Sequence, residues 1–239
     1  MPSLTNAIVL ITGANGGIGT EFVHAALDRG AAKVYATARI PRTWTDTRIV
    51  PLTLDVTDAD SIAAAVGAAS DVTVLINNAG GLPPTASMLD ISDADLRANM
   101  EINFFAPLRM ARAFAPTLTA AENAVLVNIH SVASWYAFGG TYSASKAALW
   151  SATNSLRLEL GPRGVLVTGV HVGYVDTPMA AHADGPKMLP GELVNKVLDG
   201  VEAGVYEVIA DEFSAHIKAG LAAPIDVLYP ELNTARSDG

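Results

Sequence analysis

Seven short runs rich in Val, Ile and Leu, at residues 7–11, 33–38, 49–54, 72–76, 124–129, 165–172 and 206–210, alternate with longer stretches of helical pattern at 17–29, 58–69, 93–118, 141–160 and 190–203. A run that is apolar at nearly every position, rather than at every second one, belongs to a strand covered on both faces. Such strands make parallel sheets, and each parallel strand is reached by a right-handed crossover that a helix normally supplies. The pattern therefore predicts an α/β fold: one doubly wound, mostly parallel seven-stranded sheet with helices on both faces. No internal repeat or low-complexity linker divides the 239 residues, which read as a single domain. Residues 178–190 read as a small substrate lid. Residues 211–239 form a weakly patterned tail, expected to be frayed at 237–239.

Composition narrows the function classes. Half of the chain is hydrophobic and its mean hydropathy is +0.31, enough for a sizeable core. The longest apolar run, 7–11, falls far short of the ~20 residues that span a membrane, and the N-terminus lacks a basic, apolar leader. There is no cysteine, which excludes disulfides and thiolate chemistry and fits a cytoplasmic protein; no metal site is expected. The net charge of −9 and the scattering of 15 Lys and Arg argue against a nucleic-acid partner. An acidic protein that binds an anionic cofactor must gather positive potential locally, at helix N-termini and single arginines.

The first strand runs into Thr12-Gly13-Ala14-Asn15-Gly16-Gly17-Ile18-Gly19 and then a helix. Gly13, Gly17 and Gly19 permit a tight turn and close backbone approach, and the helix N-terminus offers N–H groups to a pyrophosphate; Asn15, Gly16 and Ile18 share the turn. The second strand ends at Ala38-Arg39, where an NAD-selective site places a carboxylate. A cation there suits a 2′-phosphate, so NADP is the expected cofactor, with Arg39 as first contact and Arg42 as second candidate. Asp55 closes the third strand beside the crevice, where it either meets an adenine edge or caps the next helix. Asn77-Asn78-Ala79-Gly80 follows the fourth strand and offers small residues for backbone approach and amides to brace neighbouring strands.

At the chemical end, Tyr142 and Lys146 stand four residues apart on the helix after the fifth strand, so phenol and ammonium share one face. Carbonyl reduction needs hydride at carbon and a proton at oxygen, and an ammonium beside a phenol stabilises its phenolate. Ser131, just after the fifth strand, is placed to hold the carbonyl oxygen, with Ser134 as rival; Asn103 is placed to hold a water for proton relay.

Together these residues resemble the short-chain dehydrogenase/reductase family in its plain short form, over roughly residues 5–210. The resemblance rests on the T-G-x-x-x-G-x-G turn at 12–19, Asn77–Gly80, Asn103, Ser131, and Tyr142 with Lys146. It implies a Rossmann-type sheet, a catalytic tetrad at Asn103, Ser131, Tyr142 and Lys146, and a grip of Lys146 and Tyr142 on the cofactor. It also implies adenine contacts at Asp55 and Val56, a cofactor-lining segment at Asn77, Ala79 and Gly80, contacts at Gly173, Val175 and Thr177, and a homodimer or homotetramer. Three departures stand out. His130 occupies a place where the family has Ser or another small residue, the stretch from Ser131 to Tyr142 is about two residues short, and Val172-Gly173 replaces Pro-Gly. His130 and His171, flanked by apolar strand residues, read as structural.

The loops after strands four to six offer Leu82, Trp135, Tyr136, Phe138, Tyr174, Met179 and Met188, an apolar wall suited to a hydrophobic ketone, aldehyde or secondary alcohol. A cofactor-sensing regulator of the same fold would show damage in the tetrad, and the tetrad is intact. An extended-family epimerase would need a larger C-terminal domain than the ~30 residues after the last strand.

Overall fold

The structure is a computed structural model that describes residues 2–233; the end expected to be frayed, 237–239, lies outside the described residues. Strands β1 (Ile8–Ile11), β2 (Lys33–Ala38), β3 (Ile49–Thr53), β4 (Val74–Asn77), β5 (Val125–Ile129), β6 (Leu166–His171) and β7 (Glu207–Ile209) form one sheet of order β3-β2-β1-β4-β5-β6-β7. Every neighbouring pair is parallel. This is the doubly wound, Rossmann-type arrangement that the apolar runs predict, with the order reversing between β1 and β4.

Period-two alternation within the runs assigns the two core layers. Val9, Ile11, Val34, Val125 and Val127 face α1 (Gly17–Asp28) and the helix 190–202, meeting Phe22, Ala26, Leu193 and Val197. Leu10, Tyr35, Leu75, Leu126 and Val167 face the opposite way, onto Ile62 of α2 (Ala59–Ala68), Met110, Phe114 and Leu118, and Leu156 of the helix 141–160. β4 and β5 are buried along their whole length, as strands at the middle of a two-sided sheet must be. β3 is the edge strand, and Pro51 sits there because only an edge tolerates a missing N–H.

The helix expected over 93–118 is interrupted. It comprises α3 (Asp93–Met100), a π-helical turn (Glu101–Phe105) and α4 (Ala106–Ala120). Pro107 explains the break: without an N–H it cannot bond the carbonyl of Asn103, and the ladder widens by one residue there. α5 (Thr141–Leu160) and α6 (Pro190–Glu202) run as expected. The tail is more ordered than its pattern suggests, forming α7 (Glu212–Gly220) and α8 (Ile225–Leu228). The lid region is a loop pinned at its base, where Asp176 N–H donates to Met188 O at 2.8 Å and Met188 N–H to Tyr174 O at 2.9 Å.

Asp211 ties the tail to the sheet. Its carboxylate caps α7 by accepting from Ser214 N–H at 2.7 Å, and accepts from Gly173 N–H at 2.6 Å. The turn after β6, which lacks the family's proline, is thus held from outside. Asp211→Ala removes both bonds and is expected to lower stability by about 1–2 kcal/mol, read as a lower urea midpoint at unchanged m-value.

Candidate active site

At the carboxyl edge of β1 the chain turns through Gly13, whose φ of +68° lies in the left-handed region. A Cβ at Gly19 would stand 2.2 Å from the Gly13 carbonyl oxygen, so the helix packs onto the turn at a distance only glycine permits. Thr12 locks the neighbouring segment: its hydroxyl oxygen accepts from Asn78 and Ala79 N–H, both at 2.9 Å, while Asn78 Nδ2 donates to Thr12 O at 2.8 Å. Asn15 donates to Ile40 O at 2.8 Å. α1 starts at Gly16 without a side-chain cap, so the N–H groups of its first turn, Gly17, Ile18 and Gly19, lack intrahelical partners. Thr177 completes the cradle, since a Cβ at Gly17 would meet its methyl at 3.0 Å. Free N–H groups at a positive dipole end, in a space kept clear of side chains, fit the pyrophosphate of a dinucleotide.

The other residues named from sequence divide. Arg39 is exposed, and its charge helps lower the Asp55 carboxyl, an effect secondary to hydrogen bonds from Thr57. Arg42 instead lies over the Trp44 ring at 3.7 Å, leaving Arg39 the better placed cation for a phosphate. Asp55 does not cap α2, a role that Asp58 performs; it accepts from Thr57 N–H and Oγ. Val56 is buried beside it. The Asn77 side chain is turned away from the edge, into the core, where Nδ2 donates to Asn128 Oδ1 at 2.9 Å and Pro107 O at 3.1 Å. A Cβ at Gly80 would stand 2.9 Å from Asn103 Oδ1 and 3.8 Å from Lys146 Nζ, so that glycine joins the turn to the chemical end of the site. Gly173 N–H is held by Asp211, and Val175 is buried and bridged to Met188.

Asn103, Ser131, Tyr142 and Lys146 converge. Lys146 Nζ, nearly fully buried, donates to Ile129 O at 2.8 Å and stands 5.7 Å from the Tyr142 ring centre. Burial lowers its ammonium to about 8 and pushes the half-buried Tyr142 phenol up to about 12; the nearby Ser131 hydroxyl opposes the latter shift. Ser131 Oγ also accepts from Ala133 N–H at 3.1 Å. The rival Ser134 is buried with its hydroxyl unpartnered, and Ser131 is the serine whose hydroxyl lies near enough to lower the phenol. The Asn103 side chain clamps Gly81, accepting from its N–H at 3.0 Å and donating to its carbonyl at 2.8 Å, with Asn99 donating to the same carbonyl. What the π turn frees is the Asn103 main-chain carbonyl, deprived of its i+4 donor by Pro107. The proline four residues after the asparagine was the legible signal.

The apolar wall also needs correction at one position. Trp135 is buried, its ring stacked on His171 at 3.7 Å, and so does not face a substrate. Tyr136, Phe138 and Tyr174 form a chain of ring contacts at 6.1–6.2 Å, with Met179 exposed nearby in sequence to Tyr174. Tyr174 lies close enough to raise the Tyr142 phenol. The tail adds two rings that sequence reading missed: Tyr229 stacks on Tyr136 at 4.8 Å, and Phe213 meets it edge-on at 6.3 Å.

A cradle suited to an anionic dinucleotide at the switch point, beside a phenol and an ammonium on one helix face, marks a Rossmann-type α/β protein. The sequence profile described as short chain dehydrogenase matches residues 7–187, and the chain belongs to the short-chain dehydrogenase/reductase family. A short chain dehydrogenase from Burkholderia cenocepacia, solved in complex with NADP, superposes with a TM-score of 0.89 at 35% identity, covering 96% of this chain and 98% of that one. Among curated relatives, the NADPH-dependent 1-acyldihydroxyacetone phosphate reductase of Schizosaccharomyces pombe is 39% identical over 180 residues, 71% of this chain. The short-chain dehydrogenase ptmH of Penicillium ochrochloron is 42% identical over 187 residues, also 71% of this chain. This chain spans 60% and 66% of those two proteins.

The lowered Lys146 ammonium gives a signed test. In the unfolded chain the lysine binds its proton up to about 10.5, in the folded chain only to about 8, so between these values the unfolded state holds more protons and stability rises with pH. The rise is on the order of 1.4 kcal/mol per unit of pKa difference. Lys146→Met should abolish this component, seen as a flatter thermal midpoint between pH 8 and 10.5 than in the wild type.

Proposed function

We propose that this protein is an NADP(H)-dependent oxidoreductase that moves a hydride between the cofactor and a hydrophobic ketone, aldehyde or secondary alcohol, with Tyr142 as general acid/base. The observation that carries the reading is the convergence of Tyr142, Lys146 and Ser131 in one buried cleft beside the uncapped start of α1. The nicotinamide, when bound, supplies or accepts the hydride. The chain's own residues handle the proton. Ser131 Oγ holds the carbonyl oxygen and Tyr142, kept as a phenol by burial, delivers a proton to it; in the reverse direction the phenolate takes the alcohol proton. Lys146 is the nearby cation that stabilises the phenolate as it forms, and its anchorage on Ile129 O fixes the ammonium. Arg39 and the start of α1 would hold the 2′-phosphate and pyrophosphate.

Tyr136, Phe138, Tyr174, Phe213 and Tyr229 support an apolar, flat substrate, since rings in contact offer face area and few charges. Exposed Phe105 and Leu158 support the proposed homodimer or homotetramer.

The experiment is NADPH consumption by the purified chain against aliphatic, aryl, steroid and quinone carbonyls. Tyr142→Phe should reduce kcat by ~10²–10⁴ while leaving NADPH binding nearly intact. A folded variant that retains more than about a tenth of wild-type kcat removes Tyr142 from the acid/base role.

Cofactor choice is tested separately. A charge-assisted bond from Arg39 to a 2′-phosphate contributes ~1.5–3 kcal/mol, roughly a ten- to hundred-fold preference for NADPH over NADH. Ala38→Asp with Arg39→Leu should reverse the ratio of kcat/KM values at fixed ionic strength, by adding a ribose acceptor and repelling phosphate. Equal use of both cofactors by the wild type would refute the role of Arg39 without touching Tyr142.

A further inference from the structure

Behind Ser131 lies a buried polar chain that the proposed chemistry does not use. Asn128 Nδ2 donates to Thr153 Oγ1 at 2.9 Å, and His130 Nε2 contacts the same oxygen at 2.9 Å. His130 Nδ1 meets His171 Nε2 at 3.1 Å, and His171 Nδ1 stands 3.3 Å from the Ser131 carbonyl oxygen. Glu207 Oε1 lies 3.3 Å from His171 Nε2, and its other oxygen pairs with Lys218. Space for His130 is made by Gly169, where a Cβ would stand 2.7 Å from the ring. Both histidines are almost wholly shielded from solvent.

The proton positions follow from counting donors. The Thr153 hydroxyl, 2.7 Å from Leu149 O, donates to that carbonyl, so its oxygen accepts from Asn128 and from an N–H at His130 Nε2. His130 Nδ1 is then bare and must accept from His171 Nε2–H, which also points its positive end at Glu207. This leaves one unfavourable contact, bare His171 Nδ1 against Ser131 O, and that carbonyl already accepts from Ser134 N–H at 3.0 Å. The opposite set of tautomers leaves two. It places oxygen lone pairs 2.7 Å apart at Thr153 and Leu149, and a nitrogen lone pair against the Glu207 carboxylate. Burial first, opposed by the Ser131 carbonyl and reinforced by Lys218, Arg157 and Lys146, holds the His171 imidazole down to about 3; burial and His171 hold His130 well below its usual range, so both rings are neutral.

We propose that His171, fixed as its neutral Nε2–H tautomer between His130 and Glu207, is a positioning residue for the catalytic turn that carries Ser131. It acts through packing. Trp135 ends the 3₁₀ turn Val132–Ser134 that follows Ser131, donates its N–H to Val132 O at 2.9 Å, and lies flat on the His171 ring, 11° from parallel. A ring held at its Nε2 edge by His130 and Glu207 gives Trp135 one seat and, through Trp135, the turn that carries Ser131 one direction. The proposal rests on the reading of Ser131 as the group that holds the substrate oxygen.

Two measurements on the full chain test it. Imidazole ¹⁵N resonances between about pH 6 and 8 should show the N–H at Nε2 and a bare Nδ1 on both His171 and His130. A proton on His171 Nδ1 overturns the proposal. His171→Gln keeps a donor near Nε2, whereas His171→Leu keeps only bulk. His171→Leu should lose about tenfold in kcat with NADPH affinity held within about twofold, and His171→Gln should recover most of the loss. Wild-type kcat in the Leu variant, or equal losses in both variants, overturns the positioning role. The backbone amide resonances of Ser131 and Ala133 supply a readout that needs no turnover: they should move in His171→Leu and stay near wild type in His171→Gln. If the wild type reduces no carbonyl, the functional reading fails alone, and these resonances still decide whether His171 sets the turn.

Discussion

Parallel pairing is the constraint on which the rest of the structure depends. A parallel strand cannot be reached by a hairpin, so each of the first six strands is followed by a crossover that returns the chain to the same starting edge. All seven carboxyl ends then lie on one side. The loops after β1, β4, β5 and β6 are consequently neighbours although they are far apart in sequence: Thr12 meets Asn78, Thr177 meets the start of α1, and Ser131 meets Val172. The reversal of strand order between β1 and β4 parts the adjoining loops, and the uncapped start of α1 opens into that gap.

Burial gives the site its electrostatic character. Lys146 is taken out of water with a single carbonyl as its hydrogen-bond partner, so its ammonium is a poorly solvated charge ready to interact with any anion that forms nearby. The same burial disfavours the Tyr142 phenolate in the free protein. Two groups that are each destabilised in charged form become complementary when both are charged, which is how a cleft can hold a proton until transfer occurs. The buried chain from Asn77 through Asn128, Thr153, His130 and His171 lies behind these groups and stiffens the strands that carry them.

Much of this was legible in the chain itself. Continuous apolar runs gave the strands to within a residue or two at their ends, because burial on both faces of the central strands leaves little choice of residue type. The glycine turn and the i and i+4 pair of Tyr142 and Lys146 are local features, set by neighbours in the chain. The tail was not legible in the same way. α7 and α8 are short and half-exposed, so neither carries a strong periodicity, and their stability comes from contacts such as Asp211 with Gly173 that join residues 38 positions apart.

Side-chain direction marks the boundary. The sequence by itself determined which residues could do chemistry and which edge they would occupy, since strand order and helix periodicity follow from the spacing of apolar residues. It did not determine where a given side chain points once it arrives. Trp135 was expected to face a substrate and is stacked on His171; Asn103 was expected at the cleft, and its amide is taken up by Gly81. In both cases the competing partner lies 22 or 36 residues away in the chain. Only the tertiary structure brings those partners close enough for their hydrogen bonds and stacking to outweigh the solvent-facing alternative.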